Sequence, residues 1–197
     1  MRSTAQPADN SRMDLLRLRE ATTPEHEAVE AKMPVMRADL SRGEYADVLA
    51  CFSPLIAGWE QWAAEHVPAP YAGLVRNRKR APLLVSDLAA LGRTTPPPVF
   101  PADDAFLTPA GFLGAMYVVE GSTLGGQHIA RHVEPLLGLN PEHGTAYFRG
   151  YGEETGARWR EFKEVMAAVP DELTDEVIAA AKRMFNIFGD AMTGLHA

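Results

Sequence analysis

The segment Tyr117-Val118-Val119-Glu120-Gly121-Ser122-Thr123-Leu124-Gly125-Gly126-Gln127-His128 constrains this chain more than any other. It lies in a long apolar stretch with helical spacing, yet it holds three glycines. Each glycine inside a helix costs about 1 kcal/mol relative to alanine, so about 3 kcal/mol of helix stability is given up. Bare backbone on a helix serves either a close helix–helix crossing or the close approach of a flat ligand to the main chain. Gly121 and Gly125 are four apart and share a face, and Gly126 widens the strip. Spacing alone leaves both readings open, with close packing the commoner. Ser122, Thr123 and Gln127 add two hydroxyls and an amide beside the strip.

The surrounding pattern is helical throughout. Apolar residues from Met13 to Met33 recur at helical spacing, and Pro34 stops that helix. Ser41-Arg42-Gly43-Glu44 has the form of a capping box and opens a long helix through Tyr45, Leu49, Phe52, Ile56, Trp59 and Trp62. Pro54 is its expected kink point, and Pro68 and Pro70 end it. A short helix is expected over Leu83–Leu91, stopped by Gly92, and a proline-rich loop over 93–101. Thr108-Pro109 pairs a capping hydroxyl with proline at the first helical position. The glycine-bearing helix should therefore run from there to Leu137 and stop at Gly138. Asn140-Pro141 is read as the start of a short helix, and 154–168 and 173–193 as two further helices. No segment alternates as a strand, so the expected class is all-α, a single-domain helical bundle over residues 12–197 with a disordered tail over 1–11.

Composition removes several function classes. Lys and Arg number 19 against 26 Asp and Glu, a formal net charge of −7, which argues against nucleic acid or an anionic membrane as partner. The one cysteine, Cys51, permits neither an intrachain disulfide nor a cysteine metal cluster. No apolar signal core or membrane-length run is present, and a cytoplasmic location is expected.

The histidines supply the second constellation. His26 and Glu30 stand four apart on the first helix, so an imidazole and a carboxylate share a face. A metal-ligating imidazole usually donates its second ring N–H to such a carboxylate, although the same pair also suits an ordinary helix surface. A di-iron centre of the bundle type needs Glu-x-x-His on two helices, and none of the six histidines has a glutamate three residues before it. His128 and His132 are four apart with no third ligand in sight. His66, His143 and His196 are assigned no role. Arg76, Arg78, Lys79 and Arg80 form a basic run that reads either as a solvated face or as a docking patch for an acidic electron donor.

Taken in order, Arg19-Glu20-Ala21-Thr22, His26 with Glu30, the segment Tyr117–Gln127 and Val177-Ile178-Ala179-Ala180-Ala181-Lys182-Arg183-Met184-Phe185 resemble the haem oxygenase family. The likeness is strongest to the small bacterial enzymes found beside bacteriophytochromes, and it runs from about residue 13 to about 190. It implies a haem sandwiched between a proximal N-terminal helix and the glycine-containing distal helix. His26 would be the iron ligand, with Glu30 behind it. Gly121, Gly125 and Gly126 would form the distal strip, with Tyr117 at the haem edge. Arg19 and Lys182 would pair with the propionates. Ser122 stands where animal-type members carry an aspartate that organises distal water, and Asn186 where they carry a propionate-binding arginine.

The resemblance further implies that haem is both substrate and cofactor. O2 and an external donor, such as a ferredoxin or a reductase, would open the ring to biliverdin, CO and ferrous iron. Ser122, Gly121 and Gly125 would manage the oxygen, one protein ligand leaving the iron a sixth position suited to O2. A bacteriophytochrome is the implied bilin acceptor. The alternatives from other classes are a haem-binding or storage protein without turnover, and a helical module that binds no haem.

Overall fold

The computed structural model describes residues 13–193. Its α-helices are α1 (Leu15–Ala31), α2 (Arg42–His66), α3 (Ala72–Arg76), α4 (Ala81–Ala90), α5 (Pro109–Leu137), α6 (Ala146–Arg149), α7 (Thr155–Ala167) and α8 (Thr174–Ala191). No strand forms among the described residues, which is the expected all-α class. The expected tail over 1–11 lies outside them, as does His196.

Caps set most boundaries. Asp14 accepts from the Leu16 amide at 2.8 Å and starts α1. Ser41 and Glu44 satisfy each other's backbone in the expected capping box. The Thr108 hydroxyl accepts from the Gly111 amide at 3.0 Å with Pro109 in the first turn, and Gly138 at φ 63° ends α5. α2 passes Pro54 without a break. The proline-rich loop lies along it there: the Val99 amide donates to the Pro54 carbonyl at 3.0 Å, and a Cβ on Gly58 would come 2.6 Å from the Val99 carbonyl carbon.

Asn140-Pro141 is a tight turn rather than a helix start. The Asn140 carbonyl accepts from His143 and Thr145, Gly144 takes φ 98°, and α6 begins only at Ala146. Buried Asp87 of α4 fixes that position by accepting from the Ala146 and Tyr147 amides at 3.0 and 2.8 Å. Burial pushes the Asp87 carboxyl up, and those two amides pull it back.

α8 packs along both α1 and α5 and is the floor between them. Its buried face carries Val177, Ala181, Met184, Phe185 and Phe188 at helical spacing. Elsewhere in the core, Trp59, Trp62, Phe100, Phe106 and Phe112 interlock through tilted, edge-on and stacked ring contacts.

Candidate functional site at the glycine strip

The glycines of α5 divide into two sets. A Cβ on Gly111 would overlap the Ala105 carbonyl, and one on Gly114 would overlap the Val177 carbonyl of α8. On Gly126 it would lie 2.8 Å from the Phe148 carbonyl oxygen of α6. These three allow close backbone approach. Gly121 and Gly125 do not: a Cβ on Gly121 meets only the Trp159 ring, at 3.9 Å, and one on Gly125 meets nothing within 4 Å. Close packing therefore accounts for Gly111, Gly114 and Gly126, and does not account for Gly121 and Gly125. Gly126 belongs to the packing set, so the open face is Gly121 and Gly125 alone.

Tyr117 lies one turn before Gly121 on that open face. It is tilted against Trp159 of α7, with ring centroids 5.8 Å apart. Burial raises its phenol, and hydrogen bonding with Thr22 and the charge of Arg19 pull the other way. Tyr117 thus ties α5 to α1, the helix that carries His26.

On α1, half of the His26 side chain is exposed, and its ring meets Phe185 of α8 edge-on at 5.6 Å. Nε2 lies 3.7 Å from the Glu30 carboxylate, beyond hydrogen-bond reach but within that of an ion pair. Arg19 is exposed and has no ion pair among the described residues. Lys182 donates to Glu25 at 2.9 Å, so its ammonium is already engaged by an acid next to His26 in sequence. The second Glu25 oxygen is buried without a hydrogen-bond partner.

Ser122 is turned about 100° away from Gly121, as successive helix positions are. Its hydroxyl donates to the Val119 carbonyl at 2.7 Å and accepts from Arg80 at 3.1 Å. It also bonds with Tyr147. It faces the interior behind the strip and not the open face.

The basic run Arg76–Arg80 is not a surface patch. Arg78 and Arg80 are buried, and only Arg76 and Lys79 face outward. The segment between α3 and α4 is not helical, so alternate side chains turn inward onto α5. Arg78 pairs with Glu120 and, at 2.8 Å, with Glu161. The Tyr151 hydroxyl donates to Glu120 at 2.8 Å, and Arg158 lies over the Tyr151 ring at 4.4 Å. Burial, then the Glu120 charge, pushes the Tyr151 phenol far up. The spacing of two arginines around one lysine could have signalled this, because residues two apart share a face in an extended segment.

His132 and His66 are occupied locally. His132 contacts the Arg37 carbonyl at 3.2 Å, and His66 stacks on Trp62 at 4.8 Å. No cluster of three metal-ligating side chains occurs among the described residues, and no helix there is long and apolar enough to cross a membrane.

Comparison with known proteins gives a consistent result. The family model described as Heme oxygenase matches residues 103–193. A heme oxygenase of Xanthomonas campestris pv. campestris (strain 8004) is 33% identical over 153 residues, covering 73% of this chain and 86% of that one. The NO- and CO-bound heme oxygenase of Neisseria meningitidis superposes with a TM-score of 0.69 at 22% identity, covering 91% of this chain and 90% of that one. The heme oxygenase of Leptospira interrogans superposes with a TM-score of 0.73 at 19% identity, covering 91% and 98%. At these identities the two structures speak for the fold.

Proposed function

The chain belongs to the haem oxygenase family, an enzyme family that degrades haem, and from that premise we propose how its own residues do so. Haem binds between α1 and the Gly121–Gly125 face of α5 and is opened to biliverdin, CO and ferrous iron. The observation that carries this reading is the open face itself. Two glycines four apart weaken a helix, and neither is required by close packing: Gly125 faces open space and Gly121 only the Trp159 ring, so bare backbone there fits a flat ligand.

Haem, when bound, supplies the iron and the oxidisable ring carbons, and O2 with electrons from an external donor completes the reaction. The protein contributes position. His26 would offer one ring nitrogen to iron, and Glu30, 3.7 Å from Nε2, would orient the imidazole only if the two side chains closed to hydrogen-bond distance. Arg19, with no acidic partner among the described residues, is the better placed propionate partner; Lys182 would have to share its charge with Glu25. Tyr117 and Trp159, ring against ring, would line the haem edge and exclude water there. Ser122 would act from behind, linking the strip to Arg80, and water over the open face would have the glycine carbonyls as acceptors. The donor is a small ferredoxin or reductase, and the bilin goes to a photoreceptor such as a bacteriophytochrome.

Titration of the purified chain with ferric haem, followed by reductant and O2, tests this. A Soret complex that decays to biliverdin with CO release is expected, and His26→Ala should lose the wild-type spectrum and turnover. A complex that keeps its Soret band through repeated reduction in air would overturn the enzymatic reading. Wild-type spectra in the His26 variant would overturn the ligand assignment.

A further inference from the structure

Arg80 is fully buried, and burial opposes its charge, but a guanidinium stays protonated in a protein, and the nearby carboxylates Glu120 and Glu60 favour the cation further. A buried cation is costly and is ordinarily met by a carboxylate in contact, as Arg78 is by Glu120 and Glu161. Arg80 has no such contact among the described residues. Its guanidinium donates to two neutral oxygens, the Val119 carbonyl at 2.6 Å and the Ser122 hydroxyl at 3.1 Å. Its Nε is buried with no hydrogen-bond partner, and the Tyr147 ring lies 5.1 Å from the guanidinium carbon. The negative groups near it are committed elsewhere. Glu120 holds Arg78 and Tyr151, and Glu60 accepts from the Arg80 and Ala81 amides at 2.5 and 2.9 Å. Glu60 therefore sits at the main-chain end of Arg80, and the positive end rests on α5, one residue from Gly121.

We propose that Arg80 is a positioning residue of the distal wall, placing a fixed positive charge behind the Gly121–Gly125 strip that favours anionic over neutral ligands on that side of the haem. This rests on the haem-binding reading above and deepens it. In a poorly hydrated interior such a charge acts over several ångströms and is little screened by salt. A purely structural arginine at this place would gain nothing from its charge, because an apolar side chain of similar volume fills a buried site at no greater cost.

The test compares an anion with a neutral ligand. The full-length chain is loaded with haem, azide affinity is measured on the ferric complex, and CO affinity on the ferrous one, at a pH where azide is ionised. Arg80→Met should weaken azide about tenfold, equal to about 1.4 kcal/mol, and leave CO within about twofold. Arg80→Lys should restore most of the azide affinity. Glu60→Gln keeps an oxygen for the two amides but removes the charge at the far end. It should strengthen azide by about two- to threefold with CO unchanged. Should Arg80→Met not fold, the Glu60→Gln result carries the test by itself. Equal losses of azide and CO in Arg80→Met, a Lys variant as poor as Met, or unchanged azide affinity in Glu60→Gln would each overturn the proposal. Absence of any haem complex in the wild type would instead remove the haem-binding reading itself, a result distinct from all of these.

Discussion

Arg78 and Glu120 form an ion pair in which both side chains are almost completely withdrawn from solvent, 4% and 2% exposed. Glu120 immediately precedes Gly121, so the pair fixes the distal helix at the point where its packed faces give way to its open one. Tyr151 and Glu161 complete the hydrogen bonding that such a pair needs if it is to repay desolvation. Arg78→Met should leave Glu120 charged and unpaired and cost about 3–5 kcal/mol, read as a loss in urea unfolding free energy. Arg78→Met combined with Glu120→Leu should recover more than half of that loss. An additive double variant would mean that the two residues are independent.

The two classes of glycine predict opposite signs. Gly126→Ala pushes a Cβ against the Phe148 backbone of α6 and should destabilise the haem-free protein by about 1–3 kcal/mol. Gly125→Ala meets nothing and should stabilise the same haem-free helix by about 0.5–1 kcal/mol. It should at the same time weaken haem binding, because the new methyl occupies the open face. Thermal unfolding with and without haem separates the two effects.

Propionate pairing should be unequal between the two basic candidates. Arg19→Ala removes a cation with no acidic partner among the described residues and should weaken haem binding about tenfold or more, as expected for a charge-assisted bond of about 1.5–3 kcal/mol. Lys182→Ala should do less, because Glu25 already holds that ammonium. Soret titrations of both variants check the order. A larger loss for Lys182 would make it the principal contact.

Glu134 gives a pH-dependent contribution. Its hydrogen bonds from Arg149 lower its carboxyl pKa, with Thr145 adding to the effect against burial. A depressed carboxylate stabilises the fold above its unfolded pKa, and the contribution is lost as pH falls through the lower folded value. Glu134→Gln should therefore cost about 1 kcal/mol near neutral pH, discounted for partial exposure of Arg149. The variant and wild type should converge below the ordinary glutamate range. Urea midpoints on both sides of that range measure it.

Local chemistry made the long helices legible. The Ser41–Glu44 box, the Thr108-Pro109 start and the Gly138 stop each act through atoms within four residues, so the boundaries of α2 and α5 follow from sequence. Asn140-Pro141 misled because the same dipeptide opens turns as well as helices, and the deciding contact, Asp87 on the α6 amides, lies more than fifty residues away. The inward turn of Arg78 and Arg80 was hidden for a similar reason: a charge run looks solvated until its acceptors on α5 are placed. The three glycines could not be sorted by spacing, since Gly125 and Gly126 are neighbours in sequence and differ only in what faces them.

α5 is held on nearly every side but one. Thr108 bonds Glu176, Gly114 lies against Val177, Arg80 and Arg78 grip Val119 and Glu120, Gly126 meets Phe148, and Arg42 caps the Leu137 and Gly138 carbonyls. α5 is therefore braced from behind, while its Gly121–Gly125 face carries little of the fold's own packing, so a substitution there is felt first by whatever lies against that face.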